Sequence, residues 1–404
     1  MNKKNILGLL LFGCIITLSL FIYVNIMIDH TSNTAQQQNQ TDITPESNQS
    51  ETNKENNSDV VIEEKGPSEV LVDITDKEPW LSANPSEEGS APVAVEEPDQ
   101  SVEADSTTAA LQLIQDCEKV DYEAYIPEMK VDSKIKEALD ITNPQIEVDA
   151  SAAILFDAKT GDVMYYKNAV DPVFPASTAK LLTALVALEW CGEEEEITVG
   201  EEIKMIAPDS SRAYLKEGQI LTVRSMLEGM LVPSGNDAAY AMATYVGRKS
   251  LQKENASKEE AVIEFIRLMN QKASDLGVKN SCFKTPDGYD AIGQYTTAYD
   301  MGMIGLAAVK LETIVAICKK SSARNIFISG EDVTWDSTDA IITKWSGHYY
   351  SCAIGLKTGT STMAGRCIIS AGRKDGKEVV CAVMDSSSVG RWNDAVKLLE
   401  YGLQ

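Results

Sequence analysis

A serine and a lysine three residues apart, Ser177 and Lys180 in Phe174-Pro175-Ala176-Ser177-Thr178-Ala179-Lys180, are the residues of this chain best suited to do chemistry. Pro175 stops a strand from continuing, and Leu181-Leu182-Thr183-Ala184-Leu185 reads as helix, so Ser177 falls at or near a helix N-terminus. Side chains at i and i+3 on a helix are neighbours, which brings the Lys180 amine within hydrogen-bond reach of the Ser177 hydroxyl. A serine hydroxyl becomes a nucleophile when a neighbouring base takes its proton, and here the base would be an amine. Lysine ordinarily titrates near ~10.4, so it must come down by roughly three units, about 4 kcal/mol, to serve near neutrality. Burial and a second cation both act in that direction. The free N–H groups of the helix start suit a developing oxyanion.

Ser-x-x-Lys alone is a weak signal, since the chain contains it at Ser133/Lys136, Ser177/Lys180, Ser250/Lys253 and Ser281/Lys284. Two later patterns select the second. Pro233-Ser234-Gly235-Asn236-Asp237 places a hydroxyl and an amide in a turn between two helical stretches. Leu356-Lys357-Thr358-Gly359-Thr360 ends a strand with a cation, hydroxyls and a glycine that lets a ligand approach the backbone. Ser82-Ala83-Asn84 and Lys159-Thr160-Gly161 imitate these patterns but lie in the wrong order or context. With only His30 and His348 present, a Ser-His-Asp triad would have to use His348, which reads as a surface or packing residue, and two-histidine zinc motifs cannot be built.

The elements that position these groups follow from periodicity. Residues 152–156 and 163–166 read as a hairpin around Asp157–Asp162, and 197–199 as a short strand. Helical blocks are expected at 222–231, 237–246, 258–276 and 297–309, and strands at 353–357, 367–371 and 379–384, the last two joined at Asp375-Gly376. A helix over 391–401 closes the chain. Strands at both ends with helices between them predict an α+β domain, an antiparallel sheet assembled from the two ends of residues 146–404 with helices packed on it.

Ahead of that domain the composition changes. Residues 1–4 carry Lys3 and Lys4, and 5–28 are almost wholly apolar, long enough to span a bilayer with the N-terminus inside. An uncleaved transmembrane anchor with an extracytoplasmic domain is the reading, and secretion after signal cleavage is the alternative. Cys14 follows the bulky Phe12 and continues into apolar sequence, which argues against a lipoprotein site. Residues 29–110 hold −16 of the net charge of −25 and few aromatics, the signature of a disordered, self-repelling tether. Residues 111–145 read as a partly helical lead-in. The remaining sequence carries only −11, and nothing in it suggests nucleic-acid binding. The eight cysteines lack C-x-x-C pairs and sit in apolar patterns, so no disulfide framework is expected.

From about Ala152 to Leu403 the chain resembles the serine D-alanyl-D-alanine carboxypeptidases, the low-molecular-weight penicillin-binding proteins of peptidase family S11. The likeness runs through Phe156-Asp157-Ala158-Lys159-Thr160-Gly161, the Ser177 and Ser234 motifs, Thr285-Pro286-Asp287-Gly288-Tyr289, Tyr295-Thr296-Thr297-Ala298-Tyr299-Asp300 and Lys357-Thr358-Gly359. It implies a serine β-lactamase/DD-peptidase-like fold with a helical subdomain. The implied enzyme removes the terminal D-alanine from peptidoglycan stem pentapeptides through an acyl-enzyme, is acylated by β-lactams, and needs neither metal nor cofactor. By motif, Ser177 would be the nucleophile and Lys180 its base. Ser234 would relay a proton, with Lys180 or Lys357, and Asn236 would orient the substrate amide. Lys357 and Thr358 would hold the terminal carboxylate, with Lys357 also helping to keep Lys180 neutral. Gly359 would admit the ligand, and the Ser177 and Thr360 N–H groups would form the oxyanion hole. A class A-like β-lactamase and a non-catalytic, membrane-tethered sensor of β-lactams or muropeptides are the alternatives. The first would need a glutamate loop that is not evident between Asn236 and Lys357.

Overall fold

The computed structural model describes residues 121–129 and 131–404. The apolar run at 5–28, the acidic stretch at 29–110, Cys14, Cys117, His30 and the first ten residues of the lead-in lie outside the described residues. A five-stranded antiparallel sheet organises the rest. It contains β1 (Ala152–Asp157), β2 (Val163–Lys167), β7 (Ala353–Ser361), β8 (Gly365–Lys374) and β9 (Lys377–Ser386), in the order β2-β1-β9-β8-β7. The first and last strands of the domain are therefore neighbours, with Ile154 opposite Ala382 and Leu155 opposite Cys381. Asp375-Gly376 closes the β8–β9 hairpin as expected, flanked by the Lys374–Lys377 pair.

The strands read as unbroken apolar runs because both faces of the sheet are covered. Ala153, Leu155, Val379, Cys381 and Val383 pack with Trp392, Leu398 and Leu399 of the closing helix α8 (Gly390–Gly402). Ile154, Phe156, Val380, Ala382 and Met384 point the other way, into the larger core built by the central helices. Those helices are α2 (Lys180–Trp190), α3 (Val223–Leu231), α4 (Asn236–Leu251), α5 (Lys258–Asp275) and α6 (Ala298–Val309). Side-chain oxygens define several starts: Thr222 accepts from Ser225 N for α3, Ser257 from Glu260 N for α5, and Thr297 from Asp300 N for α6. The lead-in contributes α1 (Ser133–Ala138), capped by Asp132, and its Tyr122 meets Phe174 edge-on at 6.4 Å.

Four elements were not evident from the sequence. Strand β4 (Ile220–Thr222) pairs with β3 (Glu196–Thr198), and α7 (Glu312–Cys318) follows α6 after a two-residue break. A further hairpin joins β5 (Ser322–Ile326) to β6 (Asp332–Asp336). Its apolar alternation is diluted by the exposed Arg324–Asp332 ion pair and by Ile326, which faces solvent. Strand β7 also runs to Ser361, so Lys357-Thr358-Gly359 lies within the strand rather than ending it as expected.

One buried carboxylate ties the start of β1 and the end of β9 to α8. Asp394, 0 % exposed, accepts from Asp149 N at 3.0 Å, Ala150 N at 2.9 Å and Ser386 Oγ at 3.1 Å. Replacing it by alanine leaves those donors without their acceptor, at a cost of about 3 kcal/mol. Asp394→Ala is expected to lower the thermal unfolding midpoint by about 6–12 °C. An unchanged midpoint would show that the sheet does not need this staple.

Candidate active site

The nucleophile candidate sits on a 3-10 turn, Ala176–Ala179, that feeds directly into α2 at Lys180. A 3-10 turn has about three residues per turn, so side chains at i and i+3 eclipse more closely than on an α-helix. Of the four Ser-x-x-Lys pairs, this is the one whose members meet. Lys180 Nζ lies 2.9 Å from Ser177 Oγ. Ser250 bonds Glu264 instead, Lys253 bonds Glu260, Ser281 bonds Asp300, and Ser133 and Lys136 are exposed on α1.

Lys180 is 0 % exposed, and its other two partners decide what it can do. Nζ donates to Asn236 Oδ1 at 2.7 Å and to the Asp287 carbonyl at 3.1 Å, both groups that only accept. A neutral amine has two N–H bonds and one lone pair. With both N–H groups committed, the lone pair faces the Ser177 hydroxyl. Burial pushes Lys180 down from 10.5 to about 8, against the opposing pull of the Asp287 and Asp237 carboxylates. The amine is thus within reach of its free-base form near neutral pH.

The second cation lies deeper. Lys357 is 1 % exposed and donates to the Thr358 carbonyl at 2.9 Å. Burial, then repulsion from Lys180, holds it well below the ordinary lysine value. Lys357 was expected to help keep Lys180 neutral, but it is not among the groups that shift Lys180. Burial is the leading cause at Lys180, and the repulsion between the two is expressed at Lys357.

Asn236 opens α4, 4 % exposed, its N–H bonded to the Ser211 carbonyl at 2.9 Å. Asp237 beside it accepts from Ala213 N and Leu215 N, fixing the 211–215 segment as one wall of the site. Ser234, 5 % exposed, sits in the left-handed backbone region at φ 66°, and its carbonyl accepts from Ser211 Oγ at 2.9 Å. Thr358 is buried and its hydroxyl is shared with Thr338 at 2.6 Å, whereas Thr360 is exposed at the rim. Of the two threonines, Thr360 lines the cleft beside Ser177.

Two glycines allow the parts to close up. A methyl group on Gly359 would come 3.1 Å from both Ala176 Cβ and Thr178 Cγ2, so β7 passes directly against the serine turn. Gly288, at φ +80°, packs behind it; a methyl there would fall 1.8 Å from the Ala176 carbonyl oxygen. Ser177, Asn236, Tyr289, Thr360 and Ser361 line the resulting cleft of about 710 Å³. Tyr289 reaches across it to donate to Asp209 Oδ1 at 2.7 Å.

These features match known proteins. The sequence profile of the D-alanyl-D-alanine carboxypeptidases, peptidase family S11, matches residues 138–388, more than half of the chain. The chain belongs to this family. Among relatives, it is 32% identical over 272 residues to the D-alanyl-D-alanine carboxypeptidase of Streptomyces sp. strain K15, covering 65% of this chain and 89% of that one. It is 29% identical over 262 residues to DacF of Bacillus subtilis, covering 63% of this chain but only 62% of DacF. Among solved structures, the crystal structure of the Streptomyces K15 DD-transpeptidase superposes with a TM-score of 0.58 at 30% identity, covering 65% of this chain and 99% of that one. The DacD carboxypeptidase of Francisella tularensis gives a TM-score of 0.56 at 25% identity, covering 65% of this chain and 72% of that one. The α+β, DD-peptidase-like architecture is that of these S11 neighbours.

Sequence reasoning missed two cations at this S11 site, Arg366, which lines the cleft, and Arg391. Arg391, at the start of α8, donates through Nη1 to the Gly359 carbonyl at 3.2 Å and to Thr360 Oγ1 at 3.1 Å. Its guanidinium stacks 4.0 Å above the Trp392 ring. No local pattern marks it, because only the return of α8 across the sheet brings it to β7. The role of the glycines can be checked directly. Gly288→Ala combines a left-handed φ with a backbone clash, and is expected to cost more than about 2 kcal/mol. It should also displace Ala176, so that covalent labelling of Ser177 slows at least tenfold even in protein that remains folded by circular dichroism. Labelling at the normal rate would show that the turn does not depend on this packing.

Proposed function

We propose that the chain is a serine-type D-Ala-D-Ala carboxypeptidase that trims the terminal D-alanine from peptidoglycan stem pentapeptides and is acylated by β-lactams. The observation that carries this is the Lys180 amine, buried and committed to two acceptors, with its remaining position on Ser177 Oγ at 2.9 Å. Family membership narrows a general serine–amine pair to this reaction class.

In this reading Ser177 Oγ attacks the carbonyl of the penultimate D-alanine as its proton passes to Lys180 Nζ. The backbone N–H groups of Ser177 and Thr360 receive the oxyanion, a contribution of about 3–4 kcal/mol per donor in other acyl-transfer enzymes. Ser234 relays the proton to the departing D-alanine amine, and water then hydrolyses the ester. Asn236 spends Oδ1 on Lys180, which leaves Nδ2 for the substrate amide. Lys357, Arg391 and Thr360 supply the positive field and hydroxyl for the terminal carboxylate. As the last strand in the sheet order, β7 offers an edge along which an extended peptide can lie.

The apolar run at 5–28 after Lys3 and Lys4 supports a single-pass anchor, with residues 29–110 as a tether that carries the catalytic domain to the wall outside the membrane. Cleavage of that run would instead release the domain.

Intact-mass spectrometry after exposure to penicillin, paired with D-alanine release from a D-Ala-D-Ala peptide, tests the proposal. Wild-type protein is expected to gain one long-lived adduct on Ser177 and to release D-alanine catalytically. Ser177→Ala should lose both. Rapid turnover of penicillin would favour a β-lactamase, and an adduct without D-alanine release a sensor. The rate of acylation should rise with pH along a limb centred near 8, since Lys180 acts only after losing its proton. A rate independent of pH from 6 to 9 would remove Lys180 as the base.

A further inference from the structure

We infer that Asp339 is the buried counter-charge of the carboxylate subsite, favouring positive charge on Lys357 from behind β7 and so setting the affinity for a free C-terminal carboxylate without touching it. The inference rests on the carboxypeptidase reading above.

Asp339 is 5 % exposed. Its Oδ1 accepts from Ile341 N at 3.0 Å, while Oδ2 is buried with no hydrogen-bond partner among the described residues. A buried carboxylate oxygen left without a donor is costly unless a neighbouring cation compensates for the lost solvation. The segment carrying it is firmly held. Asp339 N donates to Ser337 Oγ at 3.1 Å, the Asp339 carbonyl accepts from Thr343 Oγ1 at 2.8 Å, and Thr338 shares a hydrogen bond with Thr358. The carboxylate is thereby pressed against β7, where a methyl group built on Gly355 would come 3.3 Å from Oδ2. Residues two apart in a strand share a face, so Lys357 is the next side chain along from Gly355.

The charged and titratable groups that act on Lys357 come from four elements. Lys180 at the start of α2, when protonated, and Arg391 on α8 repel it. Cys318 at the end of α7 is a thiol pushed up to about 12 by burial, and so carries no charge near neutrality. Asp339 is the remaining group. Burial raises it only to about 6, which leaves it ionised at neutral pH and makes it the one anion in this set. Arg391 feels the same carboxylate, so one buried acid supports both cations assigned to the substrate carboxylate.

The test compares wild type with Asp339→Asn and Asp339→Ser, both neutral and neither larger than the original side chain. Catalytic D-alanine release, its pH profile and inhibition by peptides are read together. Wild-type release of D-alanine secures the underlying reading, and its absence would sink that reading before Asp339 is considered. For folded variants, KM for a peptide with a free C-terminal carboxylate should rise about tenfold, with kcat within about threefold. The descending limb of kcat/KM should move about one pH unit to lower pH, because Lys357 then loses its proton more easily. Inhibition by the same peptide as its C-terminal amide should be unaffected. An unchanged KM and limb, or equal weakening of the carboxylate and amide peptides, would overturn the inference. So would failure of both neutral variants to fold, since the carboxylate would then be a structural requirement.

Discussion

A single amine, sealed from water and bonded on three sides, is the constraint around which this domain is built. Lys180 is useful only while its lone pair is free and aimed at Ser177, and both conditions oppose what an exposed lysine would do. Moving its titration from 10.5 to about 8 corresponds to about 3 kcal/mol withheld from the protonated form. The sign of the linkage follows. Between about 8 and 10.5 the unfolded chain holds more protons at this residue than the folded one, so folding gains stability as pH rises through that window. Below it, the penalty is present in full. The fold therefore carries a standing cost at this position in the range where the enzyme would work, and the covered faces of the sheet must offset it.

Burial of this depth is possible because the site is assembled from segments far apart in the chain. Lys180 bonds a residue 56 positions away in Asn236 and another 107 positions away at Asp287. No local structure could exclude water from all sides of that amine. The sheet solves this by joining the beginning and end of the domain through β1 and β9, which sets β7 beside the serine turn while the central helices close the far side. Gly359 and Gly288 are where those surfaces approach too closely for any side chain. Backbone strain gathers at the same place. Ala176, immediately before Ser177, and Ser234 both adopt left-handed φ angles without being glycine. Such conformations persist only where the surroundings over-determine them. Here the surroundings include the Gly288 contact behind Ala176 and the Ser211 bond to Ser234.

Much of this was legible in the sequence, for a physical reason. Strands covered on both faces become plain apolar runs, so 152–156, 367–371 and 379–384 declared themselves, and the helical blocks expected at 222–231, 258–276 and 297–309 lie within a residue of α3, α5 and α6. The reactive pair was legible because i and i+3 are neighbours on any helical turn. What escaped was either short and polar or non-local. The β5–β6 hairpin hides its alternation behind Arg324 and Asp332, and α7 is too brief to show a period. The 3-10 character of the turn, the Thr360-for-Thr358 exchange at the cleft and the arrival of Arg391 depend on packing that no single window contains. The extent of β7 was underestimated because Thr-Gly-Thr is a poor strand sequence in isolation. As the last strand of the sheet it is held instead by its ladder to β8, down to the Ser361–Gly365 pair.

Two lysines inside one site raise the question of which carries the charge, and the geometry gives them different answers. Lys180 has only acceptors around it besides the Ser177 hydroxyl, so a neutral amine satisfies every contact. Lys357 has one carbonyl partner at Thr358 and is held well below the ordinary lysine value by burial and by Lys180, with the Asp339 carboxylate opposing that fall. Repulsion then sharpens the division, because charging one lysine disfavours charging the other. A site that needs both a base and an anion-binding cation can obtain them from the same residue type. The requirement is that acceptors be distributed unequally between them, and the amide of Asn236 and the carboxylate of Asp339 provide that inequality.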